Sequence, residues 1–137
     1  MPHVNLDAAA AEIEARRDAW MQAEFDVSQL TWRDRAQGWP WKLVAREEAS
    51  EPDSVGFRVT KGIAVGTVVL FDGGWADVEW WPGTPPHEPE VSAPDIDSVG
   101  AFSDLLDALL KSWRDRISVS KGASRTFGTF ENVPKRR

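Results

Sequence analysis

Two carboxylates, Asp77 and Glu79, stand two residues apart in the run Trp75-Ala-Asp-Val-Glu-Trp-Trp81. On a strand that spacing puts both on one face, where a carboxylate pair could serve as acid and base in hydrolysis. On an exposed hairpin beside Trp75, the same pair marks a solvated or binding surface instead. A deep pocket around the two would restore the hydrolase reading. A metal site could be assembled from His87, Glu88 and Glu90, with Asp95 and Asp97 near by. These sit in a proline-rich stretch that supplies no rigid spacing, so they read as a solvated acidic loop. With no cysteine in the chain, thiolate nucleophiles and sulfur-ligated zinc are excluded, and only His3 and His87 remain as imidazoles. The serines lack the Gly-x-Ser-x-Gly elbow. Gly62, Gly66, Gly73 and Gly74 precede no helix and no lysine-serine or lysine-threonine pair, so they are turn and bulge residues rather than a phosphate loop. The chain is therefore expected to be no enzyme and to use no metal or cofactor.

What remains is binding. Eight tryptophans and no tyrosine occur among 137 residues. Trp20, Trp32, Trp80 and Trp113 fall on inward faces of the elements derived below, while Trp75 and Trp81 fall on the outer face of a hairpin. Trp39 and Trp41 flank Pro40 at an apparent sheet edge. Tryptophan is the residue most enriched at interface hot spots. The candidate partner-binding set is Trp39, Trp41, Asp72, Trp75, Asp77, Glu79 and Trp81. The alternative is that the C-terminal helix or the tail covers these rings.

The elements that must hold this set can be read from periodicity. Leu6, Ala9, Ala10, Ile13, Trp20 and Met21 recur at helical spacing, with Asn5 or Asp7 as N-cap, which predicts an amphipathic helix over 6–24. From Val27 the pattern turns to period two through Leu30 and Trp32. A second strand is expected over about 41–47, where Trp39, Trp41, Leu43 and Ala45 alternate with Lys42, Val44 and Arg46, and a third around Val55, Phe57 and Val59. Then comes the hairpin Val65–Phe71, Asp72-Gly73-Gly74, Trp75–Trp81. Only a three-residue turn, setting Phe71 opposite Trp75, Leu70 opposite Ala76 and Val68 opposite Val78, keeps one face dry. Residues 82–95 hold five prolines and read as an extended connection. Val99, Phe102, Leu106, Leu109, Leu110, Trp113 and Ile117 follow a helical repeat after the N-cap Ser98, which predicts a helix over 98–116 across one sheet face, held there by Phe102, Leu106, Leu109 and Trp113.

The expectation is one α+β domain over 1–117, an antiparallel sheet of about four to six strands flanked by an N-terminal and a C-terminal helix. A basic extension over 118–137 follows, with one short strand around Phe127 and Phe130. That extension carries Lys121, Arg125, Lys135, Arg136 and Arg137 against Glu131, a net of +4, so the total of −6 leaves −10 on residues 1–117. So acidic a body disfavours nucleic acid and favours a basic protein partner. Neither a signal peptide nor a membrane span is evident, which points to the cytoplasm.

The helix Ala11-Glu-Ile-Glu-Ala-Arg-Arg-Asp-Ala-Trp20, the hairpin Gly66-Thr-Val-Val-Leu-Phe-Asp-Gly-Gly-Trp-Ala-Asp-Val-Glu-Trp80 and a leucine-rich helix ending near Trp113 together resemble the immunity protein TriTu family of bacterial polymorphic toxin systems. The resemblance spans about residues 6–117. It implies a cytoplasmic antitoxin that binds and neutralises a cognate bacterial toxin domain and has no enzymatic activity; the oligomeric state is left open, with a monomer favoured. The acids beside exposed aromatics suit a basic toxin such as a nuclease. A small acidic secretion chaperone or adaptor is the other reading, and it would be a dimer with an apolar groove.

Overall fold

A computed structural model describes residues 3–40, 42–83 and 88–126, with side chains given through residue 116. The chain divides into two compact units, Met1–Asp104 and Leu105–Arg137. The first is an α+β unit built on one antiparallel sheet.

Helix α1 (Leu6–Ala15) starts where the Asn5 side-chain oxygen accepts the Ala8 N–H at 3.0 Å. It buries Leu6, Ala9, Ala10 and Ile13. The expected continuous helix breaks at Arg16, which leaves helical geometry, and α2 (Arg17–Gln22) follows. The break alters the phase of the apolar stripe. Trp20 turns into the core, whereas Met21, which the sequence pattern groups with it, is exposed. Arg17 fixes the new direction: its guanidinium meets Glu14 at 2.6 Å and donates to the carbonyls of Val27 and Ser28 at 3.1 Å. The Trp20 ring meets Phe25 and Phe57 edge-on, at 5.2 and 6.2 Å between centroids.

Among the described residues the sheet has seven strands: β1 (Asp26–Val27), β2 (Thr31–Asp34), β3 (Leu43–Val44), β4 (Pro52–Lys61), β5 (Ala64–Phe71), β6 (Trp75–Trp81) and β7 (Glu90–Ser92). The spatial order is β3-β2-β4-β5-β6-β7, with β1 also paired to β4. Two results differ from the sequence expectation. The strand expected over 41–47 is cut to the two residues of β3, because Arg46–Glu48 turn into a 3₁₀ segment. The proline-rich connection contributes β7, which pairs antiparallel with β6 as an edge strand, and an edge tolerates neighbouring prolines. The architecture is the expected one, an antiparallel sheet with an N-terminal and a C-terminal helix, and its strand number includes pieces only two or three residues long.

The hairpin register is the expected one. Phe71 faces Trp75, Leu70 faces Ala76 and Val68 faces Val78. The turn closes with the Gly74 N–H donating to the Phe71 carbonyl at 3.1 Å. Gly74 has φ of +109°, which only glycine adopts without strain. One face of the sheet buries Val55, Phe57, Val59, Val68, Leu70, Ala76, Val78 and Trp80. Trp20, Trp32, Trp80 and Trp113 are all buried, as expected.

Asp34, at the end of β2, is a buried carboxylate that organises the bend into β4. It accepts the backbone N–H groups of Ala36, Ser50 and Glu51 at 2.9–3.0 Å and also the Ser50 hydroxyl. The Ser50 backbone donor, aided by the other three, holds its pKa below the ordinary carboxylate value. A depressed folded pKa gives stability that is complete above the unfolded value of about 3.9 and lost as pH falls through the folded one. Asp34→Asn is thus expected to lower the unfolding midpoint most at pH 7, with the gap to wild type narrowing toward pH 2–3. Urea titrations at both pH values check it; an equal loss at both would assign the effect to packing.

Helix α3 (Val99–Thr126) begins in the first unit and forms the described part of the second. It runs about ten residues beyond the expected end, so residues 118–126 of the expected basic extension are helical. The strand expected around Phe127 and Phe130 lies outside the described residues. Phe102, Leu106 and Trp113 are buried, but Leu109 is only half-buried. No helix among the described residues is long and apolar enough to cross a membrane.

Candidate functional site

The second face of the sheet carries the candidate surface. Because side chains alternate along β6, burying Ala76, Val78 and Trp80 sends Trp75, Asp77, Glu79 and Trp81 to the other side. All four are exposed, Trp75 at 42% and Trp81 at 39%. Neither carboxylate is in an ion pair with any described residue.

Pairing extends this stripe across the sheet in rows. Trp75 pairs with Phe71, Phe71 with Ser54, Ser54 with Arg33 and Arg33 with Leu43. Within that row the Phe71 and Trp75 rings stack at 4.6 Å, and the Arg33 guanidinium lies 5.4 Å from the centre of the Phe71 ring. Arg33 also grips Asp53 with two bonds of 2.8 and 2.9 Å, which hold it all the more firmly charged. The next row is Thr31, Gly56, Val69 and Asp77; the one after it is Arg58, Thr67, Glu79 and Val91. Leu43 is 62% exposed at one margin and Val91 69% exposed at the other.

Gly56 is needed at the centre. A Cβ there would come within 2.9 Å of the Val68 carbonyl oxygen and 3.0 Å of Val69 Cγ2. Gly56→Ala is expected to destabilise by about 1–3 kcal/mol through overpacking. A loss under about 0.5 kcal/mol in a denaturant titration would show that β5 can yield there.

The sequence-derived set is not gathered into one patch. Trp75, Asp77, Glu79 and Trp81 share the stripe. Trp39, 81% exposed, sits in the connection between β2 and β3, at the far side of the strand order. Trp41 lies outside the described residues. Asp72 occupies the hairpin turn, but its carboxylate is only 19% exposed and meets Arg35 at 2.6 Å and His3 at 3.8 Å. Its backbone accepts the Val4 N–H and donates to the Asp53 carbonyl, both at 3.0 Å. Asp72 therefore ties the N-terminal segment, the end of β2 and β4 to the hairpin tip. Of the residues first considered as metal ligands, His87 lies outside the described residues and Glu88, Glu90, Asp95 and Asp97 are exposed.

Sequence reasoning missed Leu43, Arg33, Arg58 and Val91 as neighbours of the stripe. Alternation in β4 points Arg58 outward, but the order of strands that brings it into the row of Glu79 has no local signature. Near Arg58 the face is indented by a cleft of about 280 Å³ lined by Ser28, Thr31, Leu43, Phe57, Arg58, Thr67 and Val69. Asp77 and Glu79 do not line it. The chain matches no protein-family model, no curated protein and no solved structure.

Proposed function

We propose that this protein is a cytoplasmic immunity protein that binds and neutralises a cognate toxin domain of basic character through the open face of its sheet. The observation that carries the reading is the stripe Trp75–Asp77–Glu79–Trp81, two carboxylates held between exposed indoles on a paired strand of fixed register. Exposed tryptophan gains free energy when a partner covers it, and carboxylates between the rings make a cationic partner the preferred one. The charge of −10 over residues 1–117 extends that preference to long range, steering encounter at low salt. The resemblance of residues 11–20, the hairpin and the leucine-rich helix ending near Trp113 to the TriTu immunity family supports the same reading.

The test is to read the genes on either side of this one for a toxin-bearing frame and to co-express any such frame with this chain; the absence of one counts against the reading. Relief of toxicity, with a one-to-one complex on co-purification that weakens as salt rises, is the expected result. Toxicity unrelieved by a well-folded, well-expressed chain would overturn the reading.

A further inference from the structure

The cleft on the open face has a chemistry of its own. Its apolar walls are Leu43 and Val69, and hydroxyls come from Thr67 and from Thr31, whose Oγ1 already donates to the Gly56 carbonyl at 3.4 Å. Ser28 is committed already: its Oγ donates to the Gln29 carbonyl and accepts the Arg58 N–H, both at 2.9 Å. The cationic group of the wall is Arg58, exposed on β4. Arginines 16, 17, 33, 35 and 46 each hold a carboxylate at 2.9 Å or less. The Arg58 guanidinium makes no ion pair with any described residue. A volume of about 280 Å³ lies just under the roughly 300–1,000 Å³ of small-molecule sites, so it suits one side chain rather than a nucleotide-sized cofactor.

We infer that this cleft binds an apolar side chain flanked by a carboxylate, the carboxylate pairing with Arg58. It is a second anchor for the partner of the stripe, and so rests on the partner-binding reading of this face. The sheet fixes the relation between the two anchors. Arg58, Thr67 and Glu79 lie in one row, so the Arg58 cation and the Glu79 anion stand two strand spacings apart, roughly 10 Å. A complementary partner presents the inverse pair at that distance: a basic residue over Asp77 and Glu79, and an acidic residue beside an apolar one at the cleft. A uniformly basic protein meets only half of this pattern, so the cleft supplies selectivity that net charge does not.

Two fragments separate the anchors, with the full chain observed by amide NMR. 3-Phenylpropionate is expected to shift Thr31, Leu43, Arg58, Thr67 and Val69 saturably, with an affinity of about 1–10 mM, ordinary for its size. Arg58→Gln is expected to weaken it about fivefold or more and to erase its advantage over the neutral 3-phenylpropanol. 3-Phenylpropylamine is expected to shift Trp75, Asp77, Glu79 and Trp81 instead. If the carboxylate shifts no cleft residue, or binds Arg58→Gln and wild type alike, the cleft assignment is wrong while an amine that marks the stripe leaves the partner reading standing. An amine that ignores the stripe counts against the stripe's role in partner binding and leaves the cleft result to be judged by the carboxylate alone.

Discussion

Replacing Trp20 with alanine is expected to cost about 3–5 kcal/mol, the range for deleting a large aromatic from a packed core. The ring is 1% exposed and edge-on to both Phe25 and Phe57, so it joins α2 to the chain leading into β1 and to the centre of β4. A helix of six residues has little stability of its own and depends on such packing. Against a typical total of about 5–15 kcal/mol, the loss takes a large share of the fold's stability. Met21→Ala, one residue along, is the control and should stay within about 0.5 kcal/mol because that side chain faces solvent. Urea unfolding of the two variants measures the contrast. Similar losses from both would mean that the helix continues through Arg16 and carries Met21 inward.

That contrast also shows what the sequence could and could not reveal. Spacing alone places Trp20 and Met21 on one stripe, because periodicity assumes an unbroken helix. The break at Arg16 depends on contacts distant in sequence, Arg16 with Ser103 at 2.6 Å and Arg17 with the Val27 and Ser28 carbonyls. The hairpin was legible because its constraint is local: a three-residue turn and one dry face admit a single register, and Trp75, Asp77, Glu79 and Trp81 follow from it. Asp72 shows the limit of that reasoning. As a turn residue it reads as exposed, yet Arg35 takes its carboxylate from across the sheet at 2.6 Å. Leu43, Arg58 and Val91 join the face only through strand order. A pattern of alternation records which side a residue faces, but not which strand lies next to it.

The double variant Asp77→Lys with Glu79→Lys is expected to weaken partner binding by 100-fold or more, while stability moves by less than about 0.5 kcal/mol per site. The two halves have separate causes. In the free protein both side chains are exposed and neither holds a cation among the described residues, so reversing them breaks no internal pair. Their cross-strand neighbours are Val69 for Asp77, and Thr67 and Val91 for Glu79, none of them charged, so the new lysines meet no like charge directly opposite. In the complex the same positions would lie between Trp75 and Trp81 and face the partner's cations in a desolvated setting, where like-charge contacts cost several kcal/mol. Asp77→Asn with Glu79→Gln should fall between, because it removes attraction without adding repulsion. Titration calorimetry across a range of salt concentrations separates the contributions: the neutral variant should lose salt dependence relative to wild type, and the lysine variant should regain affinity as salt screens the repulsion. A complex formed by the lysine variant with wild-type affinity and wild-type salt dependence would move the interface off this face, and Trp39, 81% exposed at the far side of the strand order, would become the residue to test next.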